Sequence, residues 1–289
     1  MRYLKPGDTL GVCAPSARFD AQAFNRGIDV LRHLGFEVAV PADIFKTKRY
    51  LAGDDLSRAN GVNRLFSDPD IDGIICARGG FGAMRILDYL DWHVIQHHHK
   101  PFIGFSDNTA ILLSIIGKTG NPVIHGPHVV SFDSASKETL DSFYTTLVTG
   151  GGEIVIKSPQ VMRPGKGMGV LKGGNLATIS HLLGTRFQPD FTDAVLFIED
   201  IGESAYKIDR MLTQMKMAGL FDGIRGVITG SFEKCDTDAV IQEILWEIFE
   251  PYHFPVLFGL DAGHGHANLS LCMGVEVEMD TAASRILWM

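Results

Sequence analysis

Ser106 stands where the apolar run Phe102-Ile-Gly-Phe105 gives way, within two residues, to a helical pattern beginning at Asp107-Asn-Thr109. A serine on a sharp strand-to-helix turn projects its hydroxyl from the C-terminal edge of a sheet, and the helix start offers backbone N–H groups to an oxyanion. That is the geometry of an acyl-transfer nucleophile. The second glycine of Gly-x-Ser-x-Gly is replaced by Asn108, so this segment taken alone reads equally as a serine N-cap.

Three other segments carry side chains able to do chemistry. Leu196-Phe-Ile-Glu199-Asp200 ends an apolar run with two carboxylates, a placement suited to orienting a histidine from a rigid strand, and spacing does not choose between them. Gly263-His264-Gly265-His266 offers either one general base in a glycine-flanked loop or two imidazoles for a metal ion. Arg78-Gly79-Gly80-Phe81-Gly82 follows the apolar Ile74-Ile-Cys-Ala77, and such a loop brings backbone N–H groups close to a developing negative charge. As a dinucleotide fingerprint it fails, because Arg85 occupies the place of the third glycine and no strand-ending acid follows at the expected distance. His97-His98-His99 reads as solvated surface, since three consecutive residues cannot face one site from a regular element.

The elements that must position these residues alternate in βαβ rhythm up to about residue 130. Strands are expected at 9–14, 36–40, 71–77, 102–105 and 122–125, with helices at 21–34, 57–67, 83–90 and a buried one at 109–117. The first half is therefore expected to be a doubly wound, Rossmann-like parallel sheet, with a smaller β-rich α/β domain after it. The texture changes through Gly150-Gly-Gly152 and the run Arg163-Pro-Gly-Lys-Gly-Met-Gly169, which reads as turn-forming. This places an N-terminal domain at 1–145, a linker at 146–172 and a C-terminal domain at 173–289. In the second half short strands are expected at 194–198, 226–229, 255–258, 275–279 and 286–289, and Ile208, Met211, Leu212 and Met215 form a helical core face.

Composition narrows the functional classes. With 26 Lys+Arg against 34 Asp+Glu the net charge is −8, no basic block interrupts that balance, and nucleic acid is excluded as a partner. The longest nearly apolar stretch, 109–117, falls short of the roughly 20 residues a membrane span needs, so no membrane partner is expected. The N-terminus lacks an apolar signal region, which makes the cytoplasm the expected location. The 4 cysteines, Cys13, Cys76, Cys235 and Cys272, show no Cys-x-x-Cys spacing and read as free thiols.

Together these segments resemble the L,D-carboxypeptidase family of serine peptidases, which includes muramoyltetrapeptide carboxypeptidases and microcin C immunity proteins. The resemblance rests on Gly11-Val-Cys-Ala-Pro-Ser16, Arg78-Gly-Gly-Phe-Gly82, Gly104-Phe-Ser-Asp107 and His125-Gly-Pro127. It continues through Lys172-Gly-Gly-Asn-Leu176, Leu183-Gly-Thr185, Glu199-Asp200, Ile208-Asp-Arg210 and Gly263-His264. It implies a nucleophile at Ser106, a carboxylate partner at Glu199 and a general base at His264. His264 is preferred to His266 because it directly follows Gly263 and lies ten residues before Gly274, as the family pattern requires. The backbone N–H groups of Asp107 and Gly80 are the oxyanion-hole candidates, and the mechanism needs no cofactor and no metal. The substrate implied is a murein tetrapeptide losing its C-terminal D-alanine in cell-wall recycling, the partner implied is a second copy in a homodimer, and Arg78 or Arg85 is a candidate counter-charge for the substrate carboxylate. Three alternatives stand beside it: a microcin-type enzyme cleaving a peptidyl or aminoacyl nucleotide amide, a metal hydrolase centred on His264 and His266, and a non-catalytic nucleotide-binding α/β protein. The segment from Ser131 to Gly174 contains no tryptophan to contact a base, which favours the cell-wall peptide.

Overall fold

The computed structural model describes residues 2–289. The chain divides into two compact units, one running to Gly151 and including Leu269–Cys272, the other formed by Gly152–Asn268 and Met273–Met289.

In the first unit the strands are β1 (Thr9–Cys13), β2 (Glu37–Ala39), β3 (Gly73–Cys76), β4 (Phe102–Gly104) and β5 (Val123–His125). Its helices are α1 (Ala21–His33), α2 (Asp55–Ser67), α3 (Trp92–His97), α4 (Thr109–Thr119) and α5 (Lys137–Thr149). Spatially the strands run β2-β1-β3-β4-β5, every pair parallel. The order reverses between β1 and β3, and in such sheets ligands bind beyond the carboxyl ends of the strands near that reversal. Asp20 caps α1 by accepting from the Ala23 N–H at 2.8 Å, and Phe24, Gly27, Ile28 and Leu31 form its buried stripe. That stripe shares one core cluster with Leu10, Val12, Ile75, Ile103 and Ile124 of the sheet and with Phe143 and Leu147 of α5. Residues 83–89, expected as a helix, form 3₁₀ turns instead, entered through Gly82 at φ 136°. A 3₁₀ stretch leaves a tighter turn beside the glycine loop than an α-helix would.

The second unit holds β6 (Glu153–Val155), β7 (Gln160–Arg163), β8 (Lys166–Asn175), β9 (Ala194–Ile201), β10 (Gly226–Glu233) and β11 (Val256–Phe258). It is completed by β13 (Glu276–Asp280) and β14 (Arg285–Trp288), while β12 (Leu271–Met273) joins the edge of the first sheet beside β5. The eight-stranded sheet runs β6-β14-β13-β8-β9-β10-β11-β7, with a parallel centre of β8, β9, β10 and β11 and antiparallel flanks. Three helices accompany it, α6 (Leu176–His181), α7 (Ala205–Met217) and α8 (Asp238–Phe249). On α7 the buried residues are Ile208, Met211, Leu212 and Met215.

Residues 146–172 are not a linker, since they hold the end of α5, the strands β6 and β7, and the start of β8. The glycine-rich run that reads as turns forms the sheet because neighbouring backbone leaves no room for a side chain. A Cβ on Gly167 would lie 2.2 Å from the Arg225 carbonyl oxygen, one on Gly169 2.2 Å from that of Asp193, and one on Gly173 1.8 Å from that of Phe197. Glycine within a strand commonly marks such a close approach.

Candidate active site

Three fully buried residues, Phe102 to Gly104, bring the chain to the C-terminal edge of the first sheet. Phe105 remains extended at φ −153°, Ser106 turns to φ 59°, and 3₁₀ turns over Ser106–Asn108 lead into α4. A non-glycine residue in the left-handed region costs free energy and is common at sites whose geometry is fixed by function. Neither helix start here carries a side-chain cap, so the N-cap reading of Ser106 does not describe it.

The turn is locked from beneath. Asn108 donates through Nδ2 to Ser16 Oγ at 2.9 Å. His128 Nε2 lies 2.9 Å from Asn108 Oδ1 and 3.0 Å from the Phe105 carbonyl oxygen, and these two acceptors, both nearer than the Phe105 N–H at 3.3 Å, make it the donor. The His128 ring also stacks on Phe105 with centroids 4.2 Å apart. Gly104 permits this network, since a Cβ there would lie 2.8 Å from Asn108 Oδ1.

The glycine loop after β3 presses on the serine. A Cβ at Gly79 would lie 2.9 Å from Ser106 Cβ and 3.1 Å from its Oγ, and one at Gly80, where φ is 100°, would lie 2.6 Å from Ala17 Cβ. Asp107 fixes the far end of the loop by accepting from the Ala83 N–H at 2.8 Å. Burial pushes its carboxyl above the usual carboxylate range, against the pull of hydrogen bonds from Ser16 and the Ala83 and Gly82 backbone. Arg58, its side chain buried, donates to the carbonyls of Gly82, at 2.9 Å, and Pro15. It also reaches Asp55 at 2.5 Å, and Asp55 accepts two further bonds from Arg85 Nε and one from its Nη2. With Arg85 and Arg58 upon it, the Asp55 carboxyl is lowered to about 2.

In the second unit β9 delivers two adjacent acids into different surroundings, as strand alternation requires. Glu199 is fully buried, and its Oε2 accepts from His264 Nδ1 at 2.6 Å. Donation through Nδ1 leaves His264 Nε2 as the basic nitrogen. The loop is shaped for this pair. Gly263 lies at φ 104°, a Cβ there would lie 2.4 Å from Glu199 Oε2, and its N–H donates to Asn268 Oδ1 at 2.9 Å. Gly230 does the same from β10, where the pairing with β9 shifts register between Thr229 and Phe232, and a Cβ on it would lie 3.0 Å from Glu199 Cβ.

Asp200 serves the scaffold. It accepts from Asn175 Nδ2 at 2.9 Å, from the Ala177 N–H at the start of α6 at 2.9 Å and from the Ile201 N–H at 2.8 Å. Burial raises its carboxyl to about 6, with the Glu199 charge adding to the rise. His264 and His266 do not pair, for His264 turns to Glu199 while His266 is exposed. Among the described residues no group of three or more His, Cys, Asp or Glu is placed to hold a metal ion. His97, His98 and His99 are exposed.

The structure thus joins Glu199 to His264 in one unit, and Ser106, Asp107 and the Gly79–Gly80 loop in the other. Sequence reasoning missed Ser16, Asn108, His128 and Asn268, whose roles depend on contacts across 92, 20 and 5 positions of chain. Of the Gly79–Gly80 pair, Gly79 is the one packed against Ser106.

Residues 10–126 match the family model for the LD-carboxypeptidase N-terminal domain, and residues 168–279 match that for the C-terminal domain. The chain is 34% identical to a putative carboxypeptidase of Synechocystis, with 98% of this chain and 95% of that protein covered. It is 33% identical to a probable murein peptide carboxypeptidase of Bacillus subtilis, covering 97% and 91%. Among solved structures it matches MccF in complex with glutamyl sulfamoyl guanosine at a TM-score of 0.91 and 28% identity, over 99% of this chain and 97% of the other. On both its halves, and over nearly its whole length, this chain belongs to the LD-carboxypeptidase family.

Proposed function

We propose that this carboxypeptidase is a metal-independent serine enzyme that removes the C-terminal D-alanine from murein tetrapeptides. The observation that carries the reading is the 2.6 Å bond from His264 to buried Glu199, in a loop whose Gly263 admits no side chain. An imidazole so oriented serves as a general base. Ser106 attacks the amide carbonyl before the D-residue, His264 takes the hydroxyl proton through Nε2 and returns it to the leaving amine, and Glu199 stabilises the imidazolium. The tetrahedral oxyanion is held by the N–H groups of Asp107 and of the Gly79–Gly80 loop. Each such donor is worth about 3–4 kcal/mol in comparable enzymes.

The substrate follows from relatives named for murein peptides, such as that of Bacillus subtilis. A second reading, cleavage of an aminoacyl nucleotide amide, is favoured by the likeness to MccF solved with glutamyl sulfamoyl guanosine. The working form in both readings is a cytoplasmic homodimer.

The test is D-alanine release from L-Ala-γ-D-Glu-meso-diaminopimelate-D-Ala, run beside hydrolysis of a glutamyl sulfamoyl nucleoside, each with and without EDTA. Release from the tetrapeptide that EDTA leaves unchanged is expected. Turnover confined to the nucleoside substrate would move the assignment to the second reading, and loss of all turnover in EDTA would defeat the metal-free mechanism.

A further inference from the structure

A carboxypeptidase acts one residue from a free carboxylate. Consecutive Cα atoms lie 3.8 Å apart, so that carboxylate lies within about 5 Å of the carbonyl under attack. Its counter-charge must therefore come from residues bordering the serine and the oxyanion loop. Three arginines make side-chain hydrogen bonds on or beside that loop, and the structure gives them different employment. Arg58 is buried and committed to the carbonyls of Pro15 and Gly82 and to Asp55. Arg85 is paired with Asp55 through both Nε and Nη2. Arg78 is exposed, and among the described residues no carboxylate pairs with it.

Arg78 is nonetheless held in place. Its Nη1 donates to the Arg18 carbonyl oxygen at 2.8 Å, and the Ala17 N–H donates to the carbonyl of Gly79 at 3.1 Å. The residue therefore sits on the lip formed by two loops stitched together, immediately before the glycine whose missing Cβ would lie 3.1 Å from Ser106 Oγ. A guanidinium with one donor fixed to backbone keeps others free for a planar anion, and arginine matches carboxylate geometry with two parallel bonds.

We propose that Arg78 binds the C-terminal carboxylate of the peptide substrate. This rests on the serine carboxypeptidase reading above and assigns the group that makes that site select a free chain end.

The test compares the tetrapeptide ending in free D-Ala with the same peptide ending in D-Ala amide, for wild type, Arg78→Met, Arg78→Lys and Arg18→Met, with Ser106→Ala as the blank. A charge-assisted bond of this kind corresponds to about 10- to 100-fold in affinity. Wild type is expected to prefer the acid by about that factor in kcat/KM, mainly through KM. Arg78→Met is expected to lose the preference, Arg78→Lys to keep part of it, and Arg18→Met to keep it whole. An acid-to-amide ratio unchanged in Arg78→Met, with turnover still abolished in Ser106→Ala, overturns the assignment of Arg78 and leaves the serine reading standing. A KM raised equally for acid and amide overturns it too, since Arg78 would then serve another part of the peptide. Loss of the preference in Arg18→Met in place of Arg78→Met moves the site to Arg18. Turnover that survives Ser106→Ala overturns both readings.

Discussion

Replacing Gly263 by alanine tests whether the Glu199–His264 bond matters to the chemistry. The new methyl carbon would lie 2.4 Å from Glu199 Oε2 and 2.8 Å from both Glu199 Cδ and Cγ, closer than non-bonded carbon comes to such atoms. Glu199 is fully buried and its Oε2 is the acceptor for His264, so the carboxylate can yield only by leaving the imidazole. Two costs follow. Holding alanine at φ 104° costs about 1–3 kcal/mol, and losing a charge-assisted hydrogen bond costs about 1.5–3 kcal/mol. The protein is expected to be destabilised by about 2.5–6 kcal/mol. Activity should fall further than stability explains, because a base that no longer presents Nε2 works from the wrong orientation. Disabling the orienting carboxylate costs about 10⁴-fold in the best-known triad. For Gly263→Ala a fall in kcat/KM of about 10²–10⁴-fold is expected, measured by D-alanine release at a temperature where urea titration shows the variant folded. Gly184→Ala is the control, since Gly184 has φ 73° and nothing within 4 Å of the added carbon. It should lose about 1–2 kcal/mol of stability and no more than twofold in kcat/KM. A folded Gly263→Ala with kcat/KM within threefold of wild type would refute the reasoning.

Two further outcomes follow from the same geometry. Gly79→Ala places a methyl group 2.9 Å from Ser106 Cβ and from His128 Cε1 and 3.1 Å from Ser106 Oγ, with no positive-φ penalty, so overpacking should cost about 1–3 kcal/mol of stability and kcat of the folded variant should fall by about 10²-fold, and activity near wild type would remove the glycine loop from the site. Asp200 has its carboxyl raised to about 6 in the fold against about 3.9 in the unfolded chain, so the folded protein binds more protons between those values. Its contribution to stability is whole below pH 4 and is lost as pH rises through 6. Relative to Asp200→Asn, wild type should therefore lose about 2–3 kcal/mol between pH 4 and 7 in urea titrations, and a difference that grows with pH would contradict the burial argument.

Much of this was legible where one local signal decides structure. The Asp20 cap and the Phe24–Ile28–Leu31 stripe announce α1, and the apolar run into Ser106 announces a strand-to-helix turn, because cap chemistry and periodicity act within a few residues. Family likeness supplied Glu199 over Asp200. Local spacing had no means to do so, since the acids differ only in what the rest of the fold brings to each face of β9: a glycine loop with His264 on one, Asn175 and the α6 start on the other. Failures have the same origin. Gly167 and Gly169 read as turn residues because their reason for being glycine, the carbonyls of Arg225 and Asp193, arrives from distant chain. His128 carries no sequence mark of its place beneath Ser106, and its donor role emerges only with Phe105 and Asn108 around it.

The central claim is that Ser106 is the nucleophile of a peptide-cleaving serine enzyme. It is tested most directly by D-alanine release from the tetrapeptide with wild type and Ser106→Ala, both held in EDTA. The account predicts undiminished release by wild type and a loss approaching the roughly 10⁶-fold seen when a serine nucleophile is removed elsewhere. A folded Ser106→Ala protein that releases D-alanine at a rate near wild type would contradict it.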